Sequence, residues 1–154
     1  MITYHNGDLL SSGCNIICHQ VNLQGVMGGG IALQIARKYP ECEREYKKTV
    51  EVWRYNGFDM LGVIHSYRID ENHFIANCFT QDKDFNTDYS ALRRVLMTLK
   101  PNTPEASNIT IGFPYGYGCG IANGKWELVE NELKLAFEDS DVDCQIWRLG
   151  EAVK

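Results

Sequence analysis

The chain has 154 residues, of which 44% are hydrophobic and 23% charged, and a formal net charge of -5 at pH 7. A chain of that length reads as one domain and buries roughly 68–70% of its unfolded surface, enough for a core without metal or disulfide. The acidic balance and the lack of a long basic run argue against an electrostatic nucleic-acid binder. No apolar stretch approaches a membrane span, and Met1-Ile-Thr-Tyr-His lacks the charged and apolar regions of a signal peptide.

Taken in chain order, Ile2–Tyr4 reads as a short strand and Asn15–Val21 as a buried one carrying Ile16, Ile17 and Val21. A helix is expected over Gly30–Lys38, and a second from Glu41 to about Tyr55 with Pro40 at its start. Leu61–Ile69 and His73–Phe79 read as two strands joined by a turn at Asp70-Glu-Asn72. Asp88 is placed to cap Tyr89–Leu99, whose Leu92, Val95, Leu96 and Leu99 share a face. Asn108–Phe113 alternates as a strand, Lys125–Glu138 is an amphipathic helix, and Cys144–Leu149 is the last strand. This alternation predicts an α/β fold with a mixed central sheet covered on both faces.

Cysteines occur at 14, 18, 42, 78, 119 and 144. Four of them lie in or beside strand-like runs and read as reduced, buried thiols of a cytoplasmic protein. The run Cys14-x3-Cys18-His19 has no second ligand pair, and neighbouring strand residues face opposite ways, so no metal is expected.

Two glycine-rich turns carry the functional signal. Asn22-Leu-Gln-Gly-Val-Met-Gly28-Gly29-Gly30 joins a buried strand to a helix, and Pro114-Tyr-Gly116-Tyr117-Gly118-Cys119-Gly120 follows another strand. Glycine lets main-chain N–H groups converge on an anion, and a helix N-terminus adds partial positive charge. Neither turn is a G-x-G-x-x-G fingerprint or a P-loop. In open α/β sheets ligands bind beyond the strand carboxyl ends, where both turns fall. Asp8, in Asn6-Gly7-Asp8, reads as turn punctuation or as an acceptor for an exocyclic amine. His19 is either a satisfied core histidine or a group of the site, and Asn22 can bond sugar hydroxyls or orient a water. Lys83 is the one lysine in a loop of acids, and Cys119 reads as small-residue packing.

Together these pieces resemble the macrodomain family, a three-layer α/β/α fold that binds ADP-ribose, and the resemblance covers most of the chain as a single macrodomain over 1–154. Gly7-Asp8-Leu9 is similar to the family's Gly-Asp-Ile, His19-Gln-Val-Asn22 matches the spacing of its Asn-Ala-Ala-Asn, and Gly28-Gly29-Gly30-Ile31-Ala32 matches its first glycine loop. The resemblance implies that Asp8 and Leu9 meet the adenine, that Asn22 binds the distal ribose, and that Gly28–Ile31 and Gly116–Ile121 wrap the diphosphate. It implies ADP-ribose, a derivative, or an ADP-ribosylated protein as partner, and hydrolysis at the terminal ribose 1'' position, with a non-catalytic reader as the alternative. No cofactor is expected, since water would be the nucleophile of that hydrolysis. Candidate catalytic residues are His19 as acid/base, Asn22 and Lys83. The compact branch of terminal ADP-ribose hydrolases, 1''-phosphate phosphatases and phage-type members is the most similar. Where its hydrolase reads Gly-Cys-Gly-Leu-Asp with a catalytic aspartate, this chain reads Gly118-Cys-Gly-Ile121-Ala122.

Overall fold

A computed structural model describes residues 1–100 and 108–150. The expected domain over 1–154 therefore includes residues 101–107 and 151–154, which lie outside the described residues. The strands are β1 (Ile2–Asn6), β2 (Ile16–Val21), β3 (Ile64–Asp70), β4 (His73–Phe79), β5 (Thr110–Pro114) and β6 (Asp143–Arg148), and the helices are α1 (Gly30–Lys38), α2 (Pro40–Tyr55), α3 (Tyr89–Leu99) and α4 (Trp126–Phe137).

The strands form one sheet in the order β1-β6-β5-β2-β4-β3. All neighbours pair in parallel except β3 with β4, the hairpin expected from the Asp70–Asn72 turn. Five strands thus point the same way, and their carboxyl ends share one edge.

Alternation along each strand feeds two cores. From β2 and β4, Cys18, Ala76 and Cys78 join Leu92, Leu96 and Leu133 of α3 and α4 on one face. Ile17, Val21, Ile75 and Phe79 join Ile35, Tyr46 and Val50 of α1 and α2 on the other. The result is the expected three-layer α/β/α arrangement with a mixed sheet. A bidentate ion pair from Arg93 to the largely buried Glu132 (Nε–Oε2 3.0 Å, Nη2–Oε1 2.6 Å) fastens α3 to α4.

Most boundaries follow local chemistry. Asp88 caps α3 by accepting from the Ala91 N–H at 2.8 Å. Pro40 opens α2, where its missing N–H costs nothing. β3 starts three residues later than the pattern suggests, at Ile64. The Asp59 carboxylate holds the Leu61 N–H at 3.1 Å, and the Val63 N–H turns back to the Met60 carbonyl at 3.0 Å. A short 3-10 turn, Leu9–Ser11, follows β1 and is capped by Asp8.

Candidate functional site

The parallel strands deliver their following loops to one edge, and those loops enclose a cleft of about 500 Å³, within the ~300–1,000 Å³ of small-molecule sites. Its walls come from Gly7–Leu9 after β1, Gly29–Ala32 at the start of α1, Gln81 after β4, the turn after β5 and Trp147–Leu149 at the end of β6. A second cavity of about 260 Å³ adjoins it and shares Gln20, Gly29, Ala32, Gln81 and Ile121. Asn22, Gly28 and Phe85 line this second part.

The two glycine turns meet across the cleft. Gly29 is the N-cap of α1 and offers no side-chain cap, so the first amides of that helix are left for an external acceptor. Opposite, the second turn is shaped by Gly116 and Gly118, both at positive φ (79° and 71°). The Thr87 hydroxyl donates to the Gly118 carbonyl at 2.7 Å, and the Gly124 N–H donates to the same oxygen at 2.8 Å. These bonds take the carbonyl out of the cleft. Among the described residues the N–H groups of Gly118, Gly120 and Ile121 have no partner in the chain. Gly116, Gly118, Gly120 and Ile121 all line the cleft, as do Gly30 and Ile31.

At one end of the cleft lie Asp8, Leu9, Trp147 and Leu149. Asp8 Oδ1 accepts from the Leu10 N–H at 3.0 Å and Oδ2 from the Ser11 hydroxyl at 3.2 Å, so the carboxylate is oriented and still has lone pairs to offer. Trp147 stacks on His5 (4.8 Å between centroids, 12° between planes) and donates Nε1–H to Gln145 Oε1 at 2.9 Å. At the other end, Asn22 organises its own loop. Its Oδ1 accepts from the N–H groups of Gln24 (3.0 Å) and Val26 (3.3 Å) and from the Tyr46 hydroxyl (2.9 Å), while Nδ2 donates to the Val26 carbonyl (2.9 Å). One Nδ2–H is left over.

Three expected residues are not where a role in the cleft needs them. His19 is fully buried and lines neither cavity. It shares the α1–α2 face of β2 with Ile17 and Val21, and its Nε2–H donates to Oδ1 of its register partner Asn77 at 2.5 Å. Burial lowers its pKa to about 4, so it is a neutral core imidazole rather than an acid/base group of the site. Cys119 also lines neither cavity. Its N–H bonds the Gly116 carbonyl (2.8 Å), its Sγ contacts the Tyr117 carbonyl (3.3 Å), and burial raises the thiol's pKa. Lys83 is exposed and absent from both linings. Tyr117 is in the wall, but its ring is buried and its hydroxyl is committed to Thr80 Oγ1 at 2.6 Å.

The pattern of residues also missed Gln20 and Gln81, which face the cleft as a bonded pair. Gln81 Nε2 donates to Gln20 Oε1 at 2.9 Å, and Gln20 Nε2 donates to the hydroxyls of Thr80 and Thr87, both at 3.1 Å. Trp147, Leu149 and Phe85 were missed as well. The only signal for each was its place at or after a strand's carboxyl end.

This is a three-layer α/β/α domain with an anion cradle of main-chain amides at the strand carboxyl ends. No family model matches the chain. Among solved structures it is similar to the macrodomain of Mycobacterium tuberculosis DarG, with 32% identity, 96% of this chain and 97% of that one covered, and a TM-score of 0.78. Among curated proteins it is similar to the DNA ADP-ribosyl glycohydrolase of Mycobacterium tuberculosis, 33% identical over 152 residues, and it spans 42% of that protein's length. A shorter stretch of 63 residues is 43% identical to the ADP-ribose 1''-phosphate phosphatase of Saccharomyces cerevisiae, covering 40% of this chain and 34% of that one. The chain belongs to the macrodomain family.

Proposed function

We propose that the chain binds ADP-ribose in this cleft and removes a group from the 1'' position of its terminal ribose. The observation that carries the reading is the pair of glycine turns whose unpartnered N–H groups line one cleft from opposite sides. In this reading the adenine lies by Asp8, Leu9 and Trp147, the diphosphate between Gly29–Ile31 and Gly116–Ile121, and the terminal ribose by Asn22 and Gly28. Neutral amides can hold two phosphates, so a chain of net charge -5 needs no basic patch for this ligand. The domain is proposed to extend over 1–154. Six free cysteines suit a reducing compartment, and we place the protein in the cytoplasm. Among the described residues no helix is long and apolar enough to cross a membrane.

Among the described residues no titratable side chain lines the second cavity. Hydrolysis there rests on a water held by neutral carboxamides. Gln81 Oε1, which has no bonding partner among the described residues, is the acceptor that orients it, and the spare Nδ2–H of Asn22 holds a ribose hydroxyl. Cleavage of a ribosyl bond passes through an oxocarbenium-like state, and the adjacent diphosphate offsets the developing positive charge. Water attacking such an electrophilic centre needs less help from a strong base. His19 and Lys83 carry no step.

The alternative is a reader that binds ADP-ribose without turnover. Ala122, buried where the related hydrolase has its aspartate, and the uncharged lining of the second cavity favour it. Calorimetric titration with ADP-ribose tests the binding half; absence of binding overturns both readings. Release of phosphate from ADP-ribose-1''-phosphate, or of ADP-ribose from modified protein or DNA, separates hydrolase from reader.

A further inference from the structure

The end of the cleft that holds Trp147 has a side cavity of about 180 Å³, lined by Tyr4, His5, Asn6, Tyr115, Ile146 and Arg148. That is below the ~300–1,000 Å³ of small-molecule sites, so it suits a substituent rather than a whole ligand. Tyr115 and Arg148 also line the main cleft and form the partition between the two spaces. β1 and β6 pair with Tyr4 beside Ile146 and Asn6 beside Arg148. Ile146 packs into the α3–α4 core, so alternation puts these four side chains on that face of the sheet, with His5 and Trp147 on the other.

Among the described residues Arg148 is the one arginine or lysine lining the cleft, the second cavity or this side cavity. Neutral amides already serve the diphosphate, so this cation has another role. Its guanidinium lies over the Tyr115 ring, 4.4 Å from the centroid, and Trp126 packs against that ring at 4.6 Å. The Tyr115 N–H donates to the Trp147 carbonyl at 2.8 Å, which fixes the ring's base. A guanidinium that stacks through its face keeps its N–H donors at the rim, in the plane that takes phosphate oxygens two at a time. Beside it, the exposed Asn6 carboxamide has no hydrogen-bond partner among the described residues and offers two more N–H groups. Glu130 is outside the lining; it accepts from the Tyr4 hydroxyl at 2.6 Å and lies 3.8 Å from Lys134.

Resting on the proposed reading of the cleft, we infer that Arg148 and Asn6 form a subsite for a phosphate monoester on the adenosine ribose. Between an adenine at Asp8 and Trp147 and a diphosphate at Gly116–Ile121 the ligand has only that ribose, and the wall there is Tyr115 and Arg148. The sugar lies along the Tyr115 ring with its 2'- and 3'-hydroxyls toward the side cavity. A phosphate on either hydroxyl enters that cavity, accepts two N–H bonds from the guanidinium and accepts a third from Asn6. An arginine beside the ribose hydroxyls accommodates a 2'-phosphate in dinucleotide-binding folds by the same chemistry. The ligand class is therefore ADP-ribose phosphorylated on its adenosine ribose.

The test titrates wild type, Arg148→Gln and Asn6→Ala with ADP-ribose and 2'-phospho-ADP-ribose, and with AMP, adenosine 2',5'-bisphosphate and adenosine 3',5'-bisphosphate. In wild type a phosphate at one of the two positions should tighten binding at least tenfold over the unphosphorylated counterpart, and the bisphosphate that gains assigns the position. Arg148→Gln should erase the gain. Asn6→Ala, whose side chain is exposed and does not line the main cleft, should cut the gain at least threefold and leave ADP-ribose affinity within twofold. No gain at either position overturns the subsite, and so does a gain that survives either substitution. Equal losses for ADP-ribose and its phosphate ester in Arg148→Gln also overturn it, and leave Arg148 as a brace of the Tyr115 ring. Failure of wild type to bind ADP-ribose overturns the reading beneath it instead.

Discussion

Gly118 and Gly120 sit two residues apart in the second turn, yet the structure assigns alanine at each a different cost. A Cβ on Gly118 would lie 2.7 Å from Thr87 Oγ1 and 3.1 Å from Gln20 Nε2, on a backbone with φ +71°. Thr87 is short and already bonded to the Gly118 carbonyl, so it has nowhere to move. Left-handed backbone costs roughly 1–2 kcal/mol for an L-residue with a side chain, and overpacking adds about 1–3 kcal/mol. Gly118→Ala should therefore destabilise the fold by about 2–5 kcal/mol, lowering the melting temperature by roughly 4–20 °C for a domain of this size. A Cβ on Gly120 meets nothing within 4 Å. Gly120→Ala should change stability by less than about 0.5 kcal/mol. Its methyl group enters the cleft beside the unpartnered amides and should weaken ADP-ribose by about 1–3 kcal/mol, the scale of one or two lost hydrogen bonds. Urea denaturation and calorimetric titration on both variants check this. A Gly118→Ala protein as stable as wild type, or a Gly120→Ala protein with undiminished affinity, would refute the turn's role as a braced amide cradle.

Two further outcomes follow from the same geometry. Asn22→Ala removes the group that holds the Gln24 and Val26 amides and accepts from the Tyr46 hydroxyl. ADP-ribose affinity should fall by about 1–3 kcal/mol by titration, with some loss of stability because the Gln24 and Val26 amides lose their acceptor, while the Tyr46 hydroxyl keeps the Asn22 carbonyl at 2.6 Å. His19 has a folded-state pKa of about 4, below its unfolded value near 6.5, because burial disfavours the imidazolium. Between pH 6.5 and 4 the unfolded chain takes up a proton that the native one refuses. The contribution of His19 is therefore complete above pH 6.5 and is lost as pH falls through that window, by about 3 kcal/mol at most. Urea midpoints of wild type and His19→Gln against pH should differ in slope only there. His19→Gln should also retain ADP-ribose affinity, and a turnover profile governed by a His19 titration would contradict its burial.

What was legible from residues alone was local in origin. Alternation in residues 16–21 and 73–79, the cap at Asp88, the proline opening α2 and the turn at Asp70–Asn72 each act over a few residues, so α1, β4 and α3 fell where the pattern put them. The glycine turns were legible for the same reason, since left-handed or uncapped backbone demands glycine wherever the chain goes next. Facing was harder. His19 and Gln20 are neighbours, but His19 points with Ile17 and Val21 into the α1–α2 core, and Gln20 reaches the cleft. Only the strand order, which puts β4 beside β2 and so Asn77 beside His19, decides that the imidazole is sealed rather than presented. The same order carries Trp147 at the end of β6 to Gly7 and Asp8 after β1, and the loop after β4 to the end of β2, so that Phe85 meets Asn22 across one cavity. Those meetings join residues more than fifty positions apart, and no nearest-neighbour preference encodes them. They arise because parallel pairing sends successive loops to one edge, where tertiary packing selects which side chains remain exposed.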